Sequence, residues 1–149
     1  MDFIIVTGLS GAGKSRAIDA MEDIGFYCVD NIPPKLIPTF YDLCKTSNEK
    51  VAVVTDIRGG KMFNNLIEVL DRLKKDNKPY KILYLDARED VLLRRYKETR
   101  RKHPLIEKKQ ASILEAIRLE KEVLKTIKEQ SDYIVDTSYI SPAQLKSRI

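Results

Sequence analysis

The feature that most constrains this chain is the octapeptide GLSGAGKS at residues 8–15, which matches the phosphate-binding pattern G-x-x-x-x-G-K-[ST]. It follows a short apolar run at residues 3–6 and precedes an amphipathic stretch at residues 14–24. This order of strand, loop and helix is the context that the pattern requires. Glycines let the backbone amides turn inward, and the N-terminal end of a helix favours anions. The octapeptide therefore predicts a nucleoside triphosphate site.

Two side chains of this octapeptide are expected to act directly on a bound triphosphate. Lys14 reaches the β- and γ-phosphates in this interpretation, and the Ser15 hydroxyl binds Mg²⁺ between them. The expected ligand is ATP or GTP with Mg²⁺. The predicted cofactor-binding residues of the loop are Gly8, Leu9, Ser10, Gly11, Ala12, Gly13, Lys14 and Ser15.

A magnesium site also needs a carboxylate at the end of a neighbouring strand, and Asp30, Asp56 and Asp86 each follow an apolar run. We select Asp56 because the run at residues 51–55 is the most typical of a central strand. Asp86, with Glu89 three residues later, instead resembles a helix capping box. The predicted metal ligands are therefore Ser15 and Asp56.

The segment after the same run also fits the loose D-x-x-G pattern of GTPases, in which an aspartate and a glycine amide contact the γ-phosphate. It adds four predicted cofactor-binding residues, namely Asp56, Ile57, Arg58 and Gly59. The guanine-reading pattern N-K-x-D fails because Tyr80 stands at its last position. The preferred base is therefore left open.

Apolar runs of strand length alternate with longer amphipathic stretches along the chain. We predict strands at residues 3–6, 26–29, 51–55, 81–85 and 133–135, and helices at residues 14–24, 35–45, 62–75, 91–102, 106–129 and from 141 onward. Parallel strands need a covering crossover between them. The predicted fold is therefore an α/β P-loop NTPase fold, with a parallel sheet of about five strands and helices on both faces.

The net charge of +5 is equal to the charge of one segment, residues 94–102. This segment contains six lysines and arginines and a single acidic residue, Glu98. Three interpretations of this segment stay open. It is a lid whose Arg94 and Arg101 stabilise charge on the transferred phosphoryl group, a solvated charged face, or an RNA contact. On the first interpretation the predicted catalytic residues are Lys14, Asp56, Arg94 and Arg101.

The length of 149 residues suits one nucleotide-binding domain, residues 1–149. No apolar run approaches the roughly 18 residues of a membrane span, and the first residues do not form a signal peptide, so we expect a cytoplasmic protein. The two cysteines, Cys28 and Cys44, are expected to be small buried hydrophobic residues without a disulfide. The oligomeric state is left open.

These motifs together resemble the N-terminal domain of the RapZ family of bacterial nucleotide-binding proteins, also called YvcJ. The resemblance rests on the octapeptide at residues 8–15, GFYCVDNIP at 25–33, DIR at 56–58, LYLDA at 83–87, RRY and TRRKHPL at 94–105, and IVDTS at 134–138. It implies ATP and GTP binding with slow hydrolysis of both. It also implies a second, C-terminal domain beyond this chain, which in enteric bacteria binds a small RNA.

Three functions therefore compete. The first is a slow NTPase that acts as a regulatory domain of a longer RapZ-like protein. The second is a P-loop kinase acting on a nucleotide or metabolite, with Asp30 as a base near the acceptor. The third is an RNA-binding adapter module, with RNA bound by the missing domain or by residues 94–102.

Overall fold

The computed structural model describes residues 2–46, 50–55, 57, 60–99 and 113–138, which contain five strands and five α-helices, with α-helices between successive strands. The strands are β1 (Asp2–Gly8), β2 (Tyr27–Val29), β3 (Lys50–Val54), β4 (Lys81–Asp86) and β5 (Tyr133–Asp136). The helices are α1 (Lys14–Asp23), α2 (Ile37–Cys44), α3 (Gly60–Lys75), α4 (Glu89–Thr99) and α5 (Ile113–Gln130). All paired strands are parallel, which confirms the predicted α/β fold.

The strand order is β2-β3-β1-β4-β5, so β1 lies at the centre of the sheet. Val6 of β1 stands opposite Val54 of β3 on one side and Leu83 of β4 on the other. The chain crosses β1 between β3 and β4, and in open α/β sheets ligands bind at the carboxyl ends of the strands where the order reverses in this way. The loop after β1 leaves the sheet at that place.

The central strands are buried on both faces. Val51, Ala52 and Val53 of β3 are 0% exposed and Val54 is 1% exposed, although successive side chains point to opposite faces. Such continuous burial requires helices on each side of the sheet. The edge strands β2 and β5 are more exposed.

The predicted helix at residues 35–45 is divided in the structure. A 3-10 turn, Pro34–Leu36, comes first, and α2 begins at Ile37 with Pro38 in its first turn. Proline is tolerated there because the first amides of a helix have no intrahelical acceptor. The other helices agree with their predictions within the described residues, whereas the predicted helix from residue 141 lies outside them.

The prediction that Asp86 caps a helix was wrong. Because α4 begins at Glu89, Asp86 stands too far before the helix to cap it. Its carboxylate instead accepts hydrogen bonds from the Ala87 amide at 2.9 Å and from the Lys128 ammonium of α5 at 2.7 Å. Asp86 therefore connects the end of β4 to α5.

The expectation for the two cysteines holds in part. Both thiols are free, but both side chains are partly exposed rather than buried. Partial burial, with the nearby charge of Glu22, still raises the pKa of Cys28 from 9.0 to about 11. Cys28 is therefore an unreactive thiol.

Candidate functional site

The loop at residues 8–15, hereafter the phosphate loop, connects the central strand β1 to α1, as the sequence predicts. Gly8 is the last residue of β1, Gly13 precedes α1 with φ of 102°, and Lys14 and Ser15 form the first turn of that helix. The positive end of the α1 dipole therefore lies at the carboxyl edge of the sheet.

Gly8 is required by a close approach between two backbones. Its φ is +145°, and a Cβ atom placed on it would lie 2.2 Å from the Leu85 carbonyl oxygen of β4. That oxygen also accepts a hydrogen bond from the Leu9 amide at 3.1 Å. No side chain fits between the two strands at this point, which explains the first glycine of the octapeptide.

Two apolar residues anchor the phosphate loop in the core. Leu9 and Ala12 are both 0% exposed, and the Ala12 amide donates to the Leu9 carbonyl at 3.0 Å. Among the described residues no protein group accepts a hydrogen bond from the amides of Gly11, Gly13 or Ser15. Amides without an acceptor at a helix N-terminus are the donors that bind phosphate in proteins.

Lys14 folds back over the phosphate loop. Its ammonium donates to the Gly8 and Leu9 carbonyl oxygens, each at 3.1 Å, and its side chain is half-buried. The ammonium therefore lies beside the loop rather than in solvent. The Ser15 side chain in the next position is exposed.

Glu120 of α5 is a part of the site that the sequence interpretation missed. It is 3% exposed, and its two carboxylate oxygens accept from the Ser10 amide at 2.8 Å and from the Ser10 hydroxyl at 2.7 Å. Glu120 occupies a position on the buried face of α5 between Ile117 and Leu124. An acidic residue at an apolar position of an amphipathic helix is the signal that could have revealed it.

Arg95 of α4 is a second contact that was missed. Its guanidinium donates to the Gly11 carbonyl at 3.0 Å, to the Thr137 hydroxyl at 3.1 Å and to the Thr137 carbonyl at 2.6 Å. The Thr137 hydroxyl in turn donates to the Ala12 carbonyl at 2.7 Å. Arg95 and Thr137 therefore hold the phosphate loop against α4 and the end of β5.

The turn after β5 completes this side of the site. Ser138 donates from its amide to the Asp136 carboxylate at 2.9 Å, and the Arg88 amide donates to the Ser138 hydroxyl at 2.8 Å. The hydrogen bonds from Ser138 lower the pKa of Asp136 below its usual value. The turn is thereby fixed beside the start of α4.

The structure describes only some of the remaining predicted site residues. Arg94 is exposed and stays a predicted catalytic residue, whereas its neighbour Arg95 contacts the phosphate loop. Ile57 is 6% exposed and belongs to the core. The predicted residues that lie outside the described part of the chain are Asp56, Arg58, Gly59 and Arg101.

Asp30, the third aspartate considered, is exposed after β2. It lies at the carboxyl edge of the sheet, but β3 separates β2 from β1.

None of the helices in the described part of the chain has the length and the apolar content that a membrane span needs.

Solved structures with similar folds include several P-loop kinases. A shikimate kinase from Bacteroides thetaiotaomicron superposes with a TM-score of 0.62 at 18% identity, covering 99% of this chain and 95% of the other. A gluconokinase from Sinorhizobium meliloti superposes with a TM-score of 0.56 at 18% identity, covering 98% and 87%. At these identities the similarity shows the P-loop kinase-like fold alone.

Curated relatives share far more of the sequence. A nucleotide-binding protein from Caldicellulosiruptor bescii is 49% identical and one from Clostridioides difficile is 51% identical, each over all of this chain. They are matched over 52% and 53% of their own length, so this chain spans about half of each relative. The family model of the RapZ-like N-terminal domain matches residues 1–149, and the chain therefore belongs to the RapZ-like N-terminal domain family.

Proposed function

We propose that this chain binds a purine nucleoside triphosphate with Mg²⁺ on the phosphate loop and hydrolyses it slowly, as the regulatory part of a longer RapZ-like protein. The observation that carries the proposal is the group of amides at the N-terminus of α1, from Gly11, Gly13 and Ser15, which find no acceptor within the described part of the chain. Together with the Lys14 ammonium they supply the donors that a β-phosphate needs. The relatives named nucleotide-binding proteins support the same assignment.

In this proposal Lys14 changes its hydrogen-bond partners on binding. Its ammonium leaves the Gly8 and Leu9 carbonyls, which hold it at 3.1 Å, and contacts the β- and γ-phosphates. The ammonium already lies at the loop, so little side-chain entropy is lost in the exchange. Lys14 should therefore contribute both affinity and neutralisation of the developing charge.

The donor set fits Mg²⁺ because both predicted ligands are oxygens, which this ion prefers. The Ser15 hydroxyl is exposed in the first turn of α1, and β3 ends beside β1 at the same edge of the sheet. Asp56 follows that strand in the sequence and stays the predicted carboxylate ligand. A bound Mg²⁺ would neutralise charge between the β- and γ-phosphates.

Slow hydrolysis is proposed because water, as the acceptor of the phosphoryl group, needs no binding pocket of its own. In the described residues the groups around the phosphate loop are occupied by internal contacts, such as Glu120 with Ser10 and Arg95 with Gly11. Both side chains therefore hold the phosphate loop in place rather than present a group to a second substrate. Mg-ATP and Mg-GTP are both proposed ligands, and Arg94 and Arg101 stay predicted catalytic residues.

A small-molecule kinase is the second candidate, and the fold similarity to a shikimate kinase and a gluconokinase favours it. In that case Asp30, at the carboxyl edge two strands from β1, would face the acceptor. Phosphate transfer to an added metabolite exceeding phosphate release to water would support this candidate. An RNA-adapter role is less favoured, because Arg95 of the basic segment is committed to the phosphate loop.

The test is an equilibrium titration with Mg-ATP and with Mg-GTP, accompanied by measurement of phosphate release. Lys14→Ala is expected to weaken binding by at least about a hundredfold, because it removes a charge-assisted contact to two phosphates. Lys74→Ala, which changes an exposed lysine at the far end of α3, serves as the matched control and should bind normally. Normal triphosphate binding by Lys14→Ala would refute the proposed site.

A further inference from the structure

The contact between Glu120 and Ser10 joins α5 to the phosphate loop across 110 residues of sequence. Both carboxylate oxygens take part, one with the Ser10 amide at 2.8 Å and the other with the Ser10 hydroxyl at 2.7 Å. Distances this short are typical of hydrogen bonds to a charged acceptor. Ser10 is therefore held through its backbone and its side chain at once.

A carboxylate at 3% exposure is costly to desolvate, and such groups are retained when their hydrogen bonds compensate for burial. Apolar residues fill the same face of α5 at Ile117, Leu124 and Ile127. A further apolar residue at position 120 would serve packing without this cost. The charged residue is therefore explained by its contact with the phosphate loop rather than by the packing of the helix.

The adjacent residue of the loop is held from the other helix. Arg95 of α4 donates to the Gly11 carbonyl, so Ser10 and Gly11 are each bound by a charged side chain from a different helix. The two helices are themselves joined, since the Arg118 guanidinium of α5 donates to the Glu89 carboxylate of α4 at 3.2 Å. The phosphate loop is thus fixed at its middle, where its amides must be aimed before a phosphate arrives.

We propose that Glu120 is a positioning residue that sets triphosphate affinity by holding Ser10, an inference that rests on the proposed function. Fixing Ser10 preorganises the next amides, those of Gly11 and Gly13, in the arrangement that a phosphate requires. Without Glu120 the middle of the loop must be ordered during binding, and affinity falls. By thermodynamic reciprocity, a bound triphosphate strengthens the contact between α5 and the phosphate loop.

The first part of the test measures the Mg-ATP affinity and the free energy of unfolding of the wild type and of three variants. Glu120→Ala is expected to bind about tenfold more weakly than the wild type, the factor that corresponds to one charge-assisted hydrogen bond. Glu120→Gln can accept from the Ser10 amide and donate to its hydroxyl, so it should stay within about threefold of the wild type. Glu122→Ala removes an exposed charge from the same helix and should not change the affinity.

A double-mutant cycle then separates positioning from a general loss of stability. Ser10→Ala should weaken binding in the wild type but have almost no effect in Glu120→Ala, because its hydroxyl has then already lost its partner. The inference is overturned if Ser10→Ala costs the same factor in both backgrounds. It is also overturned if folded Glu120→Ala binds like the wild type, or if Glu120→Gln binds as weakly as Glu120→Ala.

The outcome is distinct from failure of the proposed function. If wild-type protein binds no Mg-ATP, the nucleotide site itself is wrong and with it the role of Glu120. If the wild type binds, Lys14→Ala does not, and Glu120→Ala is unaffected, the nucleotide site stands and the positioning role alone is rejected.

Discussion

Replacement of Gly8 by alanine should destabilise the protein far more than the same change at Gly13 or Gly25, which also have positive φ. A Cβ atom at position 8 would lie 2.2 Å from the Leu85 oxygen and 2.7 Å from the Leu85 nitrogen. Both are backbone atoms of a paired strand, because Gly8 stands opposite Leu85 in the β1 and β4 register. The alanine can be accommodated only if β4 moves. That movement would weaken the hydrogen bond from the Leu9 amide to the Leu85 oxygen.

The magnitude follows from three contributions. Backbone strain at positive φ costs about 1–2 kcal/mol, overpacking about 1–3 kcal/mol, and the weakened hydrogen bond about 1 kcal/mol. Gly8→Ala should therefore lower the free energy of unfolding by about 3–6 kcal/mol. Gly13 and Gly25 have φ of +102° and +100°, and in the described part of the chain no atom beyond the adjoining residues lies within 4 Å of the point that a Cβ would occupy. Alanine at either position should cost only the strain, about 1–2 kcal/mol.

Urea unfolding of the three variants measures these differences, and Mg-ATP titration separates the two milder ones. Gly13→Ala and Gly25→Ala should lose similar stability, but only the change at Gly13, inside the phosphate loop, should weaken nucleotide binding. If Gly8→Ala is no more destabilising than Gly25→Ala, the close approach of β1 and β4 is not what requires a glycine at position 8.

Single contacts support three further predictions. The Thr55 hydroxyl is 0% exposed and lacks a hydrogen-bond partner among the described residues. Thr55→Val should therefore raise the free energy of unfolding, measured in urea, by about 1 kcal/mol. A fall in that free energy would indicate that the hydroxyl binds a water. Arg95→Lys cannot reproduce the forked contacts of the guanidinium and should lower that free energy by about 1.5–3 kcal/mol, and a loss no larger than for exposed Arg72→Lys would contradict this. Burial raises the pKa of Cys28 from 9.0 to about 11, which lowers the thiolate fraction at pH 8. In a Cys44→Ser background, alkylation of Cys28 at pH 8 should therefore be about a hundredfold slower than alkylation of a cysteine with the ordinary pKa. An equal rate would count against burial of the thiol.

The fold could be predicted from the sequence because the periodicity that marks its elements is local. The five strands and the first helices are marked by apolar runs and by turn residues such as Gly25, which follows the end of α1. The octapeptide predicts the phosphate loop in the same way, since glycines are favoured where φ is positive or two backbones approach closely. Element ends are less strongly marked, and the division of the second predicted helix by Pro34–Leu36 was missed.

Contacts between distant residues could not be predicted in this way. Glu120 reaches Ser10 over 110 residues and Arg95 reaches Thr137 over 42, and no local pattern states which side chain crosses to which loop. On the lid interpretation the basic segment acts through Arg94 and Arg101, which stays a prediction, and the contact of Arg95 with the phosphate loop was not predicted. A periodicity of 3.6 residues groups side chains on a face but does not say which face meets the loop.

The nucleotide site is tested most directly by a crystal structure of the protein with Mg²⁺ and a non-hydrolysable ATP analogue. We expect the β-phosphate within about 3 Å of the Gly13 amide, with Lys14 moved from the Gly8 and Leu9 carbonyls to the phosphates. We also expect Glu120 to keep both contacts with Ser10. A nucleotide bound elsewhere, with Lys14 still on those carbonyls, would show that the phosphate loop is not the triphosphate site.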